Sequence, residues 1–454
     1  MNVLYVGTDD QTPDSIPAMP WLSSQTDWIT FTQAHAQDAT CCTARAQWFT
    51  GQSALHNGVT DNATGGKLNN TQTLAVWMKQ AGYRTGLFGK YLNGYGTGFA
   101  RAYRAPPGWD TFRATIGTDQ YTQYNYRLTN GDGTLTRFGA APADYKVDVT
   151  GRLLREFIAA SAGTPWFAVW TPTSTHSPWK ASPTTTGMFA TAPLLRAPNN
   201  PEVDRADKPA WVRAAPPVDP VLQDDNRRKQ WAGAVSIDDE LRRIDAELTA
   251  TGQRDNTVVV YVGDNGYAFG EHGWTTKLCE YNECSQVPLM VRYPGQPARK
   301  VTVPVSSVDI PTTVMDLSGS GALPAIPQDG RSFASMVTDP APPATREILL
   351  HWSGGDGYGR VGTAGSLPSY WGIRTQRWKY VELGTGEKEL YDELKDPYEL
   401  HNLAGTPVNA SLQAGLATRL NRMRAAAGGA TAPDRADSPN GRAQPALDTD
   451  GVVE

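Results

Sequence analysis

The chain has 454 residues, is 39% hydrophobic and 19% charged, and carries a net charge of −5. That length supports a large buried core, and the acidic balance lacks the basic footprint of a nucleic-acid binder. No window reaches the roughly 18 apolar residues of a membrane helix, so neither nucleic acid nor membrane is an expected partner.

The opening, MNVLYVGTDD, reads as a strand over 2–8 that ends in two acids. A chain that opens directly on a strand shows no secretory leader. The expected compartment is therefore the cytoplasm, or outside the cell if the natural start lies upstream. DATCCTARAQWFTGQ (38–52) places Cys41 and Cys42 side by side where a loop runs into a helix. TLAVWMKQAGY (73–83) has helical periodicity and stops at Gly82. RTGLFGKYL (84–92) reads as a strand and its exit loop, 145–161 as a helix, and PWFAVWTPT (165–173) as a strand entering a Pro-rich loop. A long amphipathic helix is expected over 229–252. NTVVVYVGDNG (256–266) and QVPLMVRYPG (286–295) read as two further strands.

Strands with continuous apolar runs, alternating with helices, predict an α/β fold with a large, mostly parallel sheet sandwiched by helices. Ligands of such sheets sit at the carboxyl ends of the strands. Beyond about 345 the texture changes to hairpin-like strands, with a helix near 411–428, which predicts a small C-terminal antiparallel sheet plus helix. The expected division is an α/β domain over 1–330, with 318–330 as connector, a subdomain over 345–428, and a disordered tail over 429–454. The four cysteines, Cys41, Cys42, Cys279 and Cys284, are too sparse for a disulfide scaffold and lack the CxxC of a zinc site. Buried packing is the expected state of Cys279 and Cys284.

Chemistry-bearing residues gather where the fold would collect them. Asp9 and Asp10 follow one apolar strand, and Asp264 and Asn265 follow another. Either pair alone reads as a strand terminator. Two pairs at equivalent strand ends make a set of hard oxygen donors, which suits Ca²⁺ or Mg²⁺ better than zinc. Arg45, Lys90, His176 and Lys277 each read singly as an ordinary surface or loop residue. Converging beside a divalent cation, they would form a pocket for a compact oxyanion.

Six ordered segments resemble the formylglycine-dependent sulfatases of the alkaline phosphatase superfamily. NVLYVGTDDQ is similar to the family's opening strand and acid pair, and CCTARAQWFTGQSALHNGV to its activation motif Cys-x-Pro-Ser-Arg. GLFGKYLNGYG is similar to the Gly-Lys element, and TSTHSPW to the His-x-Pro loop. VGDNGYAFGEHGWTTKLCEYNECSQVPLMVRYPG resembles the Asp-Asn-Gly segment, and RTQRWKYVELGTGEKELYDELKDPYELHNLA the C-terminal sheet. The resemblance implies a sulfuric ester hydrolase whose Cys41 is oxidised to formylglycine by a maturation enzyme. It assigns a divalent cation, calcium before magnesium, to Asp9, Asp10, Asp264, Asn265 and the Cys41 position. Asp264 would take the nucleophile's proton, and Arg45 would hold the nucleophile. Lys90, His176 and Lys277 would bind sulfate, with His176 or Lys277 protonating the leaving alcohol. The motif departs from the family at Thr43, where proline is the rule. It departs again at Leu92, where many sulfatases carry a histidine, and His272 is the expected substitute base. HSPW and GKYLNGYG lean toward the glucosamine-6-sulfatase-like branch, so the expected substrate is a sulfated sugar, with an aryl sulfate as its mimic. The alternatives are a phosphodiesterase or phosphonate monoester hydrolase on the same fold, and an unmatured anion-binding relative.

Overall fold

A computed structural model of the chain describes residues 1–339, 345–354 and 367–430. The tail expected to be disordered, 429–454, lies outside the described residues from 431 onward.

Eight strands form one sheet in the order Arg299–Val301, Trp28–Phe31, Leu289–Arg292, Thr257–Gly263, Asn2–Thr8, Trp166–Thr171, Arg84–Gly89, Thr111–Ala114. Every pairing is parallel except those of Leu289–Arg292, which runs against both neighbours. The connection before that strand holds only the one-turn helix Asn282–Ser285 and a 3₁₀ turn. Without a crossover helix the chain turns back and pairs antiparallel. The expected mostly parallel, helix-covered sheet is what forms.

Asn2–Thr8 lies at the centre and is buried along its whole length. Its alternate residues face opposite layers, as the period of two requires. Val3 and Tyr5 join the layer built from the helices Cys41–Thr50, Leu74–Gln80 and Ile310–Ser318. Leu4 and Val6 join the layer built from Lys146–Ala159 and Pro220–Ala250. The second of these helices begins nine residues before the expected 229. Pro220 takes its first turn, and the Asp219 carboxylate accepts the backbone N–H groups of Val221 and Leu222. Val221 and Leu222 are exposed, so no amphipathic pattern marks this stretch.

The strands Ile348–Trp352, Tyr370–Arg374, Trp378–Leu383 and Lys388–Asp392 form an antiparallel sheet in chain order. One face packs Ile373, Tyr380 and Leu390 against Leu416 and Leu420 of the helix Ala410–Ala426. The other packs Leu350, Tyr370 and Val381 against Trp211, Trp274 and Tyr281. Within 318–330, read as a connector, the backbone N–H groups of Asp329 and Gly330 donate to the Gly51 carbonyl. Asp329 also pairs with His56 at 2.8 Å.

Candidate active site

The parallel strands deliver their polar residues to one edge. Asp9 and Asp10 leave Asn2–Thr8, Asp264 and Asn265 leave Thr257–Gly263, Lys90 leaves Arg84–Gly89, and Thr175 and His176 follow Trp166–Thr171. Gly89 turns the chain at φ 117, and a Cβ there would sit 2.4 Å from the Thr171 carbonyl oxygen. Only glycine lets Lys90 enter at that point. Cys41 is the first residue of a wholly buried helix, and Arg45 lies one turn along it. Gly7 admits that helix: a Cβ on it would meet the Trp48 ring at 2.7 Å.

Three carboxylates meet three permanent cations. Lys90 Nζ is 2.7 Å from Asp9 Oδ2, Lys277 Nζ 2.6 Å from Asp10 Oδ1, and Arg45 Nε 2.9 Å from Asp264 Oδ2. Arg45 Nη2 also lies 3.4 Å from Asp9 Oδ2. Cys41 Sγ sits 3.3 Å from Asp9 Oδ1 and 2.7 Å from Lys277 Nζ. His176 Nε2 lies 3.4 Å from Asp10 Oδ2. Its side chain is 16% exposed where the others are at most 4%, so His176 marks the solvent side of the pocket.

Burial and pairing set the charge states. Burial opposes the charge on Asp9, but Lys90, His176 and Arg45 overcome it and hold the carboxyl well below its usual range. Burial likewise opposes Asp10, and Lys277 with His176 outweighs it. Burial and the neighbouring Asp9 push Asp264 up to about 6. Burial opposes the charge on Lys277, and the Asp10 carboxylate, with Asp9 behind it, outweighs burial to hold the ammonium well above its usual value. Burial pushes His176 down against the pull of Asp10 and Asp9. Burial, with Asp9 adding to it, drives the Cys41 thiol well up, so the pocket keeps a thiol rather than the thiolate that nucleophilic cysteines need.

The donor set fits a hard divalent cation. Ligand atoms of Asp9, Asp10, Cys41 and His176 lie within 4.8 Å of one another. Asn265 Nδ2 donates to Asp10 Oδ1 at 2.7 Å, while its buried Oδ1 has no hydrogen-bond partner. An orphaned carbonyl oxygen beside two carboxylates is a cation ligand in kind. Asp10 adopts a left-handed φ of 53, a conformation that concentrates at functional sites. Asp264 Oδ1 accepts the backbone N–H groups of Asp10 and Asn265, which leaves Oδ2 to Arg45.

All nine residues expected from the sequence therefore meet here. His272 does not join them: its Nδ1 is 2.8 Å from Glu202, its Nε2 3.1 Å from Asn199, and its ring stacks on Tyr281 at 3.8 Å. None of those partners is among the nine, so the expected substitute base is engaged elsewhere, in a cluster with Glu202, Asn199 and Tyr281. Cys279 and Cys284 are joined in a disulfide rather than merely packed. Three supports carried no local signal. Thr175 Oγ1 donates to the Asp9 carbonyl at 2.6 Å, Gln230 Nε2 to the Asp10 carbonyl at 2.7 Å, and the Tyr121 ring packs at a tilt against His176 with centroids 4.6 Å apart.

The sulfatase family profile matches residues 1–320, and the profile described as N-sulphoglucosamine sulphohydrolase, C-terminal, matches 270–426. The N-acetylglucosamine-6-sulfatase of Capra hircus is 27% identical, over 92% of this chain and 82% of its own. The structure of BT4656 in complex with its substrate D-glucosamine-2-N,6-O-disulfate superposes with a TM-score of 0.77 at 22% identity, covering 94% of this chain and 98% of the other. The phosphonate monoester hydrolase SpPMH from Silicibacter pomeroyi superposes at 0.75 with 23% identity, covering 93% and 95%. These two likenesses show the fold. With most of the chain covered by the family profile and its motif residues gathered in one pocket, the chain belongs to the sulfatase family and is a sulfuric ester hydrolase.

Proposed function

We propose that the chain hydrolyses the sulfate monoester of a sugar, with N-acetylglucosamine 6-sulfate as the first substrate, releasing the alcohol and hydrogen sulfate. The observation that carries the reading is the place of Cys41: it opens a buried helix, with its Sγ 3.3 Å from Asp9 Oδ1 and 2.7 Å from Lys277 Nζ, among the residues that would hold the cation and the anion. That position suits a modified residue that meets both. The sugar is supported by the likeness to N-acetylglucosamine-6-sulfatase and to the glucosamine disulfate complex.

Formylglycine at position 41 supplies a hydrated aldehyde as nucleophile, and a calcium ion supplies positive charge beside it. Asp9, Asp10, Asp264 and the free oxygen of Asn265 would hold that ion together with position 41. Arg45, fixed by Asp264 and the Lys90 carbonyl, orients the nucleophile. Asp264, raised by burial and Asp9, is suited to hold the proton the nucleophile gives up. Lys90 and Lys277 bind sulfate oxygens, and either Lys277, which Asp10 holds protonated, or His176 on the solvent side protonates the leaving alcohol. No helix among the described residues is long and apolar enough to cross a membrane. The Cys279–Cys284 bridge supports an oxidising compartment for the folded protein.

The test is peptide mass spectrometry across Cys41 on protein produced with a formylglycine-generating maturation enzyme, followed by calcium-dependent assay on N-acetylglucosamine 6-sulfate and 4-nitrophenyl sulfate. Aldehyde at position 41 with sulfate release supports the proposal. An intact thiol with no turnover overturns it in favour of an anion-binding relative. Faster cleavage of the matching phosphonate or phosphodiester overturns it in favour of phosphoryl chemistry.

A further inference from the structure

The residues that would bind sulfate are buried, yet the alcohol of the ester must lie outside them. Four half-buried rings stand at that boundary: Tyr121, His176, Trp179 and Tyr267. The Tyr121 ring lies tilted by 30° against His176 with centroids 4.6 Å apart, receives a hydrogen bond from Asn93 Nδ2 at 2.9 Å, and lies under the Lys90 ammonium at 5.3 Å. Asn93 stands beside Leu92, where the family's histidine is missing, so the Gly-Lys loop reaches the mouth through this tyrosine. On the other side, Trp179 donates its backbone N–H to the His176 carbonyl at 2.8 Å. Its indole meets Tyr267 edge-on at 5.8 Å and Phe269 at 5.9 Å. Tyr267 follows Asn265 by two residues, and its hydroxyl donates to the Thr275 carbonyl at 3.2 Å, two residues before Lys277.

Two features of Trp179 call for explanation. Its φ is 53, a strained value for a bulky residue that the surroundings must enforce. Its indole Nε1 is buried without a hydrogen-bond partner, which is costly for a donor of this kind. The left-handed backbone sets this indole against Tyr267 and Phe269, next to the His176 loop.

Building on the sulfate-ester reading, we propose that Tyr121, Trp179 and Tyr267 form the leaving-group subsite: an aromatic collar that takes the ring of a sulfated pyranose. The C–H face of a pyranose lies against aromatic faces, and a ring held so presents its ester oxygen to His176. An acyclic alcohol has no face to offer and would gain little from the collar. Trp179 thus sets specificity for the leaving group, while Lys90 and Lys277 serve every sulfate alike.

The test measures equilibrium binding by calorimetry on the calcium-loaded Cys41→Ala protein, which binds without turnover. The probes are N-acetylglucosamine 6-sulfate and ethyl sulfate, on the Trp179 parent, Trp179→Ala and Trp179→Phe. The ratio of sugar-sulfate to ethyl-sulfate affinity should fall about tenfold in Trp179→Ala and recover to within about threefold in Trp179→Phe, in line with the loss of one stacked ring. Equal weakening of both probes would overturn the proposal and make Trp179 a prop for the His176 loop. No weakening of either would overturn it as well. Because binding is read without turnover, a matured enzyme that binds the sugar sulfate through Trp179 but fails to hydrolyse it refutes the sulfatase reading and leaves the collar standing.

Discussion

Lys90→Met keeps the length of the side chain and removes its charge. Lys90 and Asp9 are both 0% exposed and meet at 2.7 Å. At an effective dielectric near 20, two unit charges at that separation attract by about 6 kcal/mol. Much of this offsets the desolvation of the two groups. What an experiment reads is the loss on breaking the pair, about 3–5 kcal/mol when one buried partner is removed. Arg45 Nη2 stays 3.4 Å from the same Asp9 oxygen, so the expected loss is at the lower end, about 3 kcal/mol. Asp9→Asn combined with Lys90→Met removes both charges and should lose at least about 2 kcal/mol less than the sum of the single variants. Calcium bound through Asp9 would replace the missing positive charge, so it should stabilise Lys90→Met more than it stabilises the parent. Urea unfolding followed by tryptophan fluorescence, in EDTA and in calcium, measures all of these. A loss under about 1 kcal/mol in EDTA would refute the pairing energetics. An equal calcium increment in both proteins would refute the assignment of Asp9 to the metal.

Thr43→Pro should fold with a cost near 1 kcal/mol, since the third helical residue lies in the first turn where proline is tolerated, and the buried Thr43 Oγ1 has no hydrogen bond to lose. It should raise the formylglycine fraction at Cys41, read by peptide mass spectrometry; an unchanged fraction would mean that Thr43 does not limit maturation. Cys279→Ser with Cys284→Ser should cost about 2 kcal/mol for so short a loop, and alkylation of the unreduced parent should label neither cysteine. Asp238 accepts the backbone N–H groups of Trp21 and Leu22, and burial pushes it up to about 6. The folded chain therefore binds more protons than the unfolded one between the ordinary value and about 6, and stability falls as pH rises through that window. Asp238→Asn should gain on the parent by at most about 3 kcal/mol between pH 4 and pH 7. A pH-independent difference in urea midpoints would show that Asp238 is not so shifted.

Much of the site was legible because the fold turns sequence position into place. Asp9, Lys90, His176 and Asp264 each follow an apolar run, and a parallel sheet brings such ends together. Cys41 and Arg45 are four apart on a helix and so share a face. Lys277 has no such cue: it lies in the loop between Thr257–Gly263 and Leu289–Arg292, and read singly it looks like an ordinary loop lysine. His272 shows the converse. GEHG looks like a loop histidine near the metal residues, but its partners Glu202 and Asn199 stand some 70 residues upstream, and no local pattern encodes that meeting. The Cys279–Cys284 bridge was missed for a similar reason. Two cysteines five apart pack or bond according to how the intervening chain bends, and here a one-turn helix at Asn282–Ser285 carries the second. The reversed strand Leu289–Arg292 follows from the same connection, which holds no crossover helix.

The charge pairing in the pocket constrains the order in which ligands bind. Asp9, Asp10 and Asp264 are matched one to one by Lys90, Lys277 and Arg45, and burial disfavours the charged form of His176. The pocket is then close to neutral, and both lysines are committed to carboxylates. Lys90 and Lys277 can turn toward a sulfate only when another cation takes over Asp9 and Asp10. Anion binding should therefore depend on the metal. Thermal unfolding measured with inorganic sulfate should show little protection in EDTA and clear protection with calcium. At 100 times its Kd in calcium, sulfate should add about 2.7 kcal/mol. Equal protection by sulfate in EDTA and in calcium would mean that the lysines reach the anion without release from Asp9 and Asp10, and the sequential order would be wrong.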